Sequence, residues 1–310
     1  MAMILTHPAC LLHFPGPGHP ESPDRLRAVL TALAAPEFAG IPRVEAPQVA
    51  RSLIDRVHAG IEYAQIFAHA PHVQSLRLDA DTLMHPAADS LEAALRAAGA
   101  VVAGVDAVLD GRARRAFCAV RPPGHHATPE RAMGFCVFNN VALAARQALD
   151  RGLERVAVLD FDVHHGNGTQ DCFEREPRVL FASSHQWPLY PGSGSQTESG
   201  VGNVFNGHLP AGSGSREFRA VWHDQLLPAV DRFQPQLILV SAGFDGHRLD
   251  PLGGLNVETA DYAWLTSEIV AIAHRHAGGR VVSTLEGGYS LTALAEAGAA
   301  HVRALFGFVS

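Results

Sequence analysis

Five short runs along the chain are apolar or β-branched with little alternation: residues 116–120, 156–160, 179–183, 237–241 and 281–285. A strand with one wet face alternates apolar and polar positions, whereas a strand covered on both faces does not, so these five read as buried strands. Segments with apolar residues three and four apart lie between and around them. One starts with Ser22 as N-cap and Pro23 at the first helical position, and buries Leu26, Val29, Leu30 and Leu33. A second carries Leu91, Leu95, Ala98, Val102, Val105 and Leu109 on one stripe. Further helices are predicted over 141–151, ended by Gly152, and over 217–233, 259–276 and 291–305. Strand–helix alternation predicts an α/β fold, a parallel sheet with helices on both faces. Residues 193–215 are rich in Gly, Ser and Asn but interrupted by Val201, Val204, Phe205 and Leu209, and read as a long ordered loop.

Composition removes several functions. The chain has 310 residues, 47% hydrophobic and 18% charged, a globular balance far from that of disorder. Its 24 basic residues are all arginine. Without lysine there is no side-chain Schiff base and no P-loop or kinase lysine for a phosphate. A net charge of −7 gives no electrostatic footprint for nucleic acid, and none for a membrane surface. Cys10, Cys118, Cys136 and Cys172 form no CxxC pair and read as reduced, mostly buried thiols of a cytoplasmic protein. The N-terminal stretch has no basic segment before its apolar residues and is not read as a signal peptide. The longest smooth apolar run, 97–105, is too short to span a bilayer.

Chemistry gathers just after the predicted strands. The first is followed by Arg-Pro-Pro-Gly-His125-His126, the second by Phe-Asp162-Val-His164-His165-Gly-Asn167, and the third by Ser184-His185. The fourth leads into Ala-Gly-Phe-Asp245, and the fifth into Glu286-Gly-Gly-Tyr289. In an open parallel sheet, ligands bind beyond the carboxyl ends of the strands, so these five segments should meet on one rim. In extended chain Asp162 and His164, two apart, point to the same side, and Asp245 would supply a third ligand. Three protein ligands that leave positions open are the catalytic pattern, and this donor set suits Zn²⁺, Fe²⁺ or Mn²⁺. A two-metal centre would want acids where Gly166 and His247 stand, so one metal is favoured. Asp160 and Asn167 are candidate partners for His125 and His126; unlike partners would separate the two proton affinities. Tyr289, after two glycines, could aim its hydroxyl at an oxyanion.

The blocks RPPGHHA, GFCVFNN, VLDFDVHHGNGTQ, SAGFDGHRLDPLGGL and LEGGY resemble the zinc-dependent histone deacetylases, especially class II and bacterial histone deacetylase-like amidohydrolases, over nearly the whole chain. The resemblance implies one arginase–deacetylase domain over residues 1–310 with an eight-stranded parallel sheet, the unread strands lying largely in the N-terminal third. It places Asp162, His164 and Asp245 on the zinc ligands and His126 on the general base and later acid. His125 becomes the electrostatic partner, with Asp160 behind it, and Asn167 the partner of His126. Tyr289 matches the oxyanion tyrosine. Phe135 and Tyr190 match the aromatic walls of an acyl-lysine tunnel, and the Gly134 carbonyl matches an acceptor for the substrate amide. Ser183, with the backbone carbonyls of Asp160, Asp162 and His164, resembles a potassium site.

The implied activity is hydrolysis of an acetyl or short acyl amide of a primary amine, foremost acetyl-lysine. An acetylpolyamine amidohydrolase is the alternative. Leu252 stands where some polyamine-selective relatives carry an attracting Glu, which removes that particular attraction. A non-catalytic acyl-lysine or small-molecule binding protein is a distant third reading. Cys136 reads as a packed thiol, His185 as lining the rim or packed, and residues 7–21 as a shaper of the tunnel mouth or an oligomer contact; oligomeric state is left open.

Overall fold

The computed structural model describes residues 1–308. In chain order its elements are β1 (Ala2–Thr6), α1 (Pro23–Ala32), β2 (Arg43–Glu45), α2 (Arg51–Val57), α3 (Ile61–His69), β3 (Leu76–Arg77), β4 (Leu83–Met84), α4 (Ala87–Leu109), β5 (Arg115–Cys118) and α5 (Asn140–Asp150). They continue with β6 (Val156–Asp160), α6 (Asn167–Phe173), β7 (Val179–Gln186), β8 (Val204–Leu209), α7 (Ser215–Val221), α8 (Leu227–Phe233), β9 (Leu237–Ala242), α9 (Thr259–His276), β10 (Val281–Leu285) and α10 (Leu291–Phe306). Eight strands form one parallel sheet in the order β2-β1-β5-β10-β9-β6-β7-β8, while β3 and β4 make a small antiparallel pair. The protein thus has the predicted α/β architecture.

The five apolar runs are the five central neighbours β5, β10, β9, β6 and β7. Every residue of these strands is buried, which is why none alternates. Helices α4 and α5 pack against β1, β5, β10, β9 and β6; α8, α9 and α10 pack against β7, β9 and β5, with α1 laid on α10. Register matters for the site. Asp160 at the end of β6 sits beside Ser183 on β7 and Ser241 on β9, so loops leaving these strands start at one level.

Several local expectations are corrected. The segment 193–215 is not loop throughout: Val204–Leu209 forms edge strand β8, hidden because its Asn206, Gly207 and His208 break the apolar run. Of the three unread strands, β1 and β2 lie in the N-terminal third and β8 does not. The helix read over 217–233 is two helices joined by a π-helical turn, Trp222–Leu226, just before Pro228, whose missing N–H cannot continue the regular ladder. Ser22 does occupy the N-cap of α1, but its side chain makes no capping bond. Among the described residues no helix is long and apolar enough to cross a membrane.

Candidate active site

Beyond the carboxyl ends of the central strands the chain folds inward. Residues 161–164 leave β6 as a series of bends rather than as extended chain, so the i, i+2 argument for Asp162 and His164 is corrected. The turn is held by Asp162 itself, whose Oδ1 accepts the His164 N–H at 2.9 Å. The convergence stands all the same: His164 Nδ1 lies 3.0 Å from Asp162 Oδ1 and 3.2 Å from Asp245 Oδ2.

These three groups fit a metal ion. One donor atom from each lies within 4.8 Å of the others, and the described residues hold one such cluster. Asp245 Oδ2 is fully buried and has no hydrogen-bond partner, a cost that a cation would remove. The space around the oxygens is held open by glycine: a Cβ on Gly287 would fall 2.0 Å from Asp245 Oδ2, and one on Gly243 2.1 Å from Asp162 Oδ2. Charge agrees. Burial, reinforced by the Asp162 charge, pushes the Asp245 carboxyl up to about 7. Burial disfavours a charged His164, yet its contacts with Asp162 and Asp245 push it up to about 10. Two buried carboxylates therefore attract positive charge to this point. Gly166 and His247 leave a second ion without the acids it would need.

The tandem histidines stand beside this cluster, their rings 4.0 Å apart, and their partners differ as expected. His125 Nδ1 meets the buried Asp160 Oδ2 at 2.9 Å. Burial opposes its charge, but Asp160 and Asp162 outweigh that and push His125 up to about 10. His126 Nδ1 meets Asn167 Oδ1 at 2.8 Å. Burial, then the charges of His125 and His164, hold His126 well below the usual imidazole range. An amide oxygen accepts only, so His126 donates through Nδ1 and keeps Nε2 free as a base. The two partners thus drive the histidines apart, His125 toward its charged form and His126 toward its neutral one.

A cavity of about 320 Å³ opens over these groups, with Phe135, Tyr190, Leu252 and Tyr289 in its walls and Pro20 and Asp81 among its lining residues. Tyr190 stands edge-on to His126 at 5.2 Å between centroids, and Phe135 edge-on to Tyr289 at 6.0 Å. Gly134 (φ 57°) and Phe135 (φ 69°) are both left-handed, unusual for Phe. Asp79 Oδ2 and Thr82 Oγ1 hold this turn by accepting the Gly134 and Phe135 N–H groups at 3.1 and 2.9 Å. The Gly134 carbonyl receives the Cys136 thiol at 3.4 Å; that thiol is buried, and burial raises its pKa well above the usual value, as befits a packed side chain. Ser183 Oγ pairs with His185 Nδ1 at 3.0 Å, and His185 Nε2 with the Gly194 carbonyl at 3.0 Å, so His185 is packed rather than on the rim. Pro20 in the lining brings the 7–21 segment to the tunnel mouth.

The structure adds positioning residues that carry no spacing signal. Glu286, fully buried and pushed up to about 7 by burial, accepts the Gly124 and His125 N–H groups at 2.7 and 3.2 Å and so braces the histidine turn. Asp250 Oδ2 accepts the Tyr289 N–H at 2.6 Å. Arg25 on α1 donates to the Gly288 carbonyl at 2.6 Å and to that of Glu286, and lies 4.8 Å from the Tyr289 ring centroid. Glu21 holds Arg25 at 3.1 Å and Arg121 at 2.6 Å, all three buried.

Comparison with known proteins agrees with this geometry. Residues 19–305 match the model of the histone deacetylase domain. Histone deacetylase 14, chloroplastic, of Arabidopsis thaliana is 38% identical over 93% of this chain and 73% of its own. A histone deacetylase-like amidohydrolase of Pseudomonas aeruginosa is 39% identical over 94% and 77%, and a probable deacetylase of Archaeoglobus fulgidus 38% identical over 93% and 81%. The crystal structure of the HDA15 HD domain superposes with a TM-score of 0.92 at 33% identity, covering 99% of this chain and 88% of that one. With the matched domain spanning nearly the whole sheet and rim, the chain belongs to the histone deacetylase family of deacetylases and amidohydrolases.

Proposed function

We propose that residues 1–310 form one zinc-dependent amidohydrolase domain that removes an acetyl or short acyl group from a primary amine, foremost acetyl-lysine. The observation that carries this reading is the pair of adjacent buried histidines with unlike partners, Asp160 on His125 and Asn167 on His126, beside a three-ligand cluster at the foot of the tunnel. Asp162, His164 and Asp245 would hold Zn²⁺, which supplies Lewis acidity and lowers the pKa of water. His126 Nε2 takes the proton of the attacking water and later gives it to the leaving amine nitrogen. Charged His125, anchored by Asp160, offsets the negative charge that develops beside it. The Tyr289 hydroxyl donates to the carbonyl oxygen as it becomes an oxyanion. Phe135 and Tyr190 flank the aliphatic chain of the acyl-lysine and exclude water, while the second lone pair of the Gly134 carbonyl accepts the substrate N–H. Ser183, beside Asp160 in register, would join the backbone carbonyls of Asp160, Asp162 and His164 in holding a potassium ion.

A fluorogenic acetyl-lysine peptide, assayed with and without a chelator, tests the reading. Turnover that chelation abolishes and zinc restores is expected; binding without turnover would leave only the non-catalytic reading. An acetylated polyamine is the second substrate class, favoured by the exposed Asp81 in the cavity lining, a carboxylate available to a distal ammonium even though Leu252 offers none. Better turnover of acetylated polyamines than of acetyl-lysine peptides would promote it.

A further inference from the structure

At the opposite end of the sheet, where the parallel strands begin, lies a second and larger cleft of about 760 Å³. Its floor is built by strand starts: β5 opens at Arg115, paired with Ala2 of β1 and Val281 of β10. Met3, Ile41, Phe306 and Phe308 give it apolar walls, and Arg112, Arg114, Arg115 and His274 its basic groups. The anomaly is Arg115. It is only 9% exposed, and among the described residues no carboxylate pairs with it. Nη1 donates to the Leu305 carbonyl at 2.7 Å and Nη2 meets His274 Nε2 at 2.5 Å, but Nε is buried without a partner. Buried charges are ordinarily compensated by a counter-charge. Here the adjacent residue is another arginine; burial first, and then repulsion by Arg114, lower the Arg115 pKa. Glu37, the one acid among the described lining residues, is already engaged by Arg303 through both carboxylate oxygens, at 3.1 and 2.6 Å. Arg112 pairs at 3.2 Å with Asp110, which Arg151 shares.

A guanidinium with no carboxylate partner among the described residues, in a cleft with apolar walls, has a natural complement. We propose that this cleft binds a small organic anion, its carboxylate or phosphate held by Arg115 and Arg114 and its apolar body against Met3, Ile41, Phe306 and Phe308. The site is remote from the catalytic rim, at the other end of the same strands, and does not depend on the chemistry proposed there. The anion supplies the missing negative charge through charge-assisted hydrogen bonds, and guanidinium accepts carboxylate and phosphate alike.

The test is thermal-shift and calorimetric titration of the full chain with benzoate, phenyl phosphate, inorganic phosphate and neutral benzyl alcohol at matched ionic strength. Benzoate or phenyl phosphate should raise the melting temperature in proportion to the logarithm of concentration, and benzyl alcohol should not. The aromatic anions should bind about tenfold or more tightly than inorganic phosphate because of the apolar walls. Arg114→Gln, at an exposed position that leaves the fold intact, should weaken binding by about tenfold. Arg115→Met should abolish it while keeping deacetylation; the Leu305 carbonyl and His274 lose their donor, so the unliganded protein should melt somewhat lower and remain folded. No shift at about 10 mM of either aromatic anion, equal affinity for inorganic phosphate, or binding that survives both substitutions would overturn the proposal.

Discussion

The single phenol at Tyr289 carries the most specific expectation at the residue scale. Its ring is fixed by Asp250 on its own N–H and by Arg25 above its face, so Tyr289→Phe removes one hydroxyl without disturbing the turn. Loss of one oxyanion donor costs about 10²–10³-fold in kcat with KM little changed. Turnover within a few-fold of the parent would remove Tyr289 from the chemistry. Asp245→Ala is a sharper case, because the substitution removes the one oxygen of the cluster that is buried without a hydrogen bond. Elemental analysis should find that the variant no longer retains a stoichiometric metal ion, whereas full occupancy would overturn the ligand assignment. Residues of this kind are legible in a sequence because their chemistry is concentrated: Asp162, His164, His125 and His126 stand at strand ends where a structural role is less economical than a chemical one. Glu286 does comparable positioning work but is a lone acid with no spacing partner, and only its two backbone contacts disclose it.

Among the elements, strands covered on both faces announced themselves as continuous apolar runs, and the five that frame the rim were legible for that reason. The edge strand β8 was not, since an edge tolerates polar residues such as Asn206 and His208. Nor was the first helix's tie to the rim. In sequence, no spacing links Glu21 and Arg25 to Arg121; in the fold the three are a buried network that clamps the turn before Tyr289. Arg25→Met would leave the carbonyls of Glu286 and Gly288 without their donor, while Glu21 keeps Arg121. A loss of about 3 kcal/mol is expected, the lower end for breaking a buried pair. At roughly 2–4 °C per kcal/mol this is a drop of several degrees in Tm. Below that temperature kcat should fall by up to about 10²-fold, since the phenol loses its register. Arg25→Lys should recover part of the Tm but little of the kcat, because an ammonium cannot span two carbonyls as the guanidinium fork does. An unchanged kcat in a folded Arg25→Met protein would show the clamp to be structural only.

The whole molecule carries a dependence on pH that does not involve the reaction. His58 and His301 are buried in hydrogen-bond networks that require the neutral ring. His58 Nε2 accepts the Asn139 N–H at 2.9 Å, leaving Nδ1 to donate to the Thr128 carbonyl at 3.0 Å. Thr266 gives its hydroxyl proton to the Tyr262 carbonyl, so His301 Nδ1 must donate to Thr266, and Nε2 accepts from Ser283. Burial pushes His58 down to about 4 and His301 down to about 3. In the unfolded chain both rings titrate near 6.5. Between those values the unfolded state binds more protons, so stability rises with pH and is lost as pH falls below about 6.5. Each ring contributes up to about 1.4 kcal/mol per pH unit, and two units of acidification would remove on the order of 5 kcal/mol, comparable with the whole stability of an ordinary domain. Urea unfolding at pH 7.5 and pH 5.0 should therefore show a large acid loss. Replacing His301 with Gln, which can donate and accept at the same place but cannot charge, should shrink that loss by about 2 kcal/mol, from the 1.5 units between pH 6.5 and 5.0. Groups at the catalytic rim titrate identically in both proteins and cancel in the comparison. An equal acid loss in parent and variant would mean that His301 is protonated within the fold, and that the Thr266–His301–Ser283 chain linking α9, α10 and β10 yields to acid without opening the molecule.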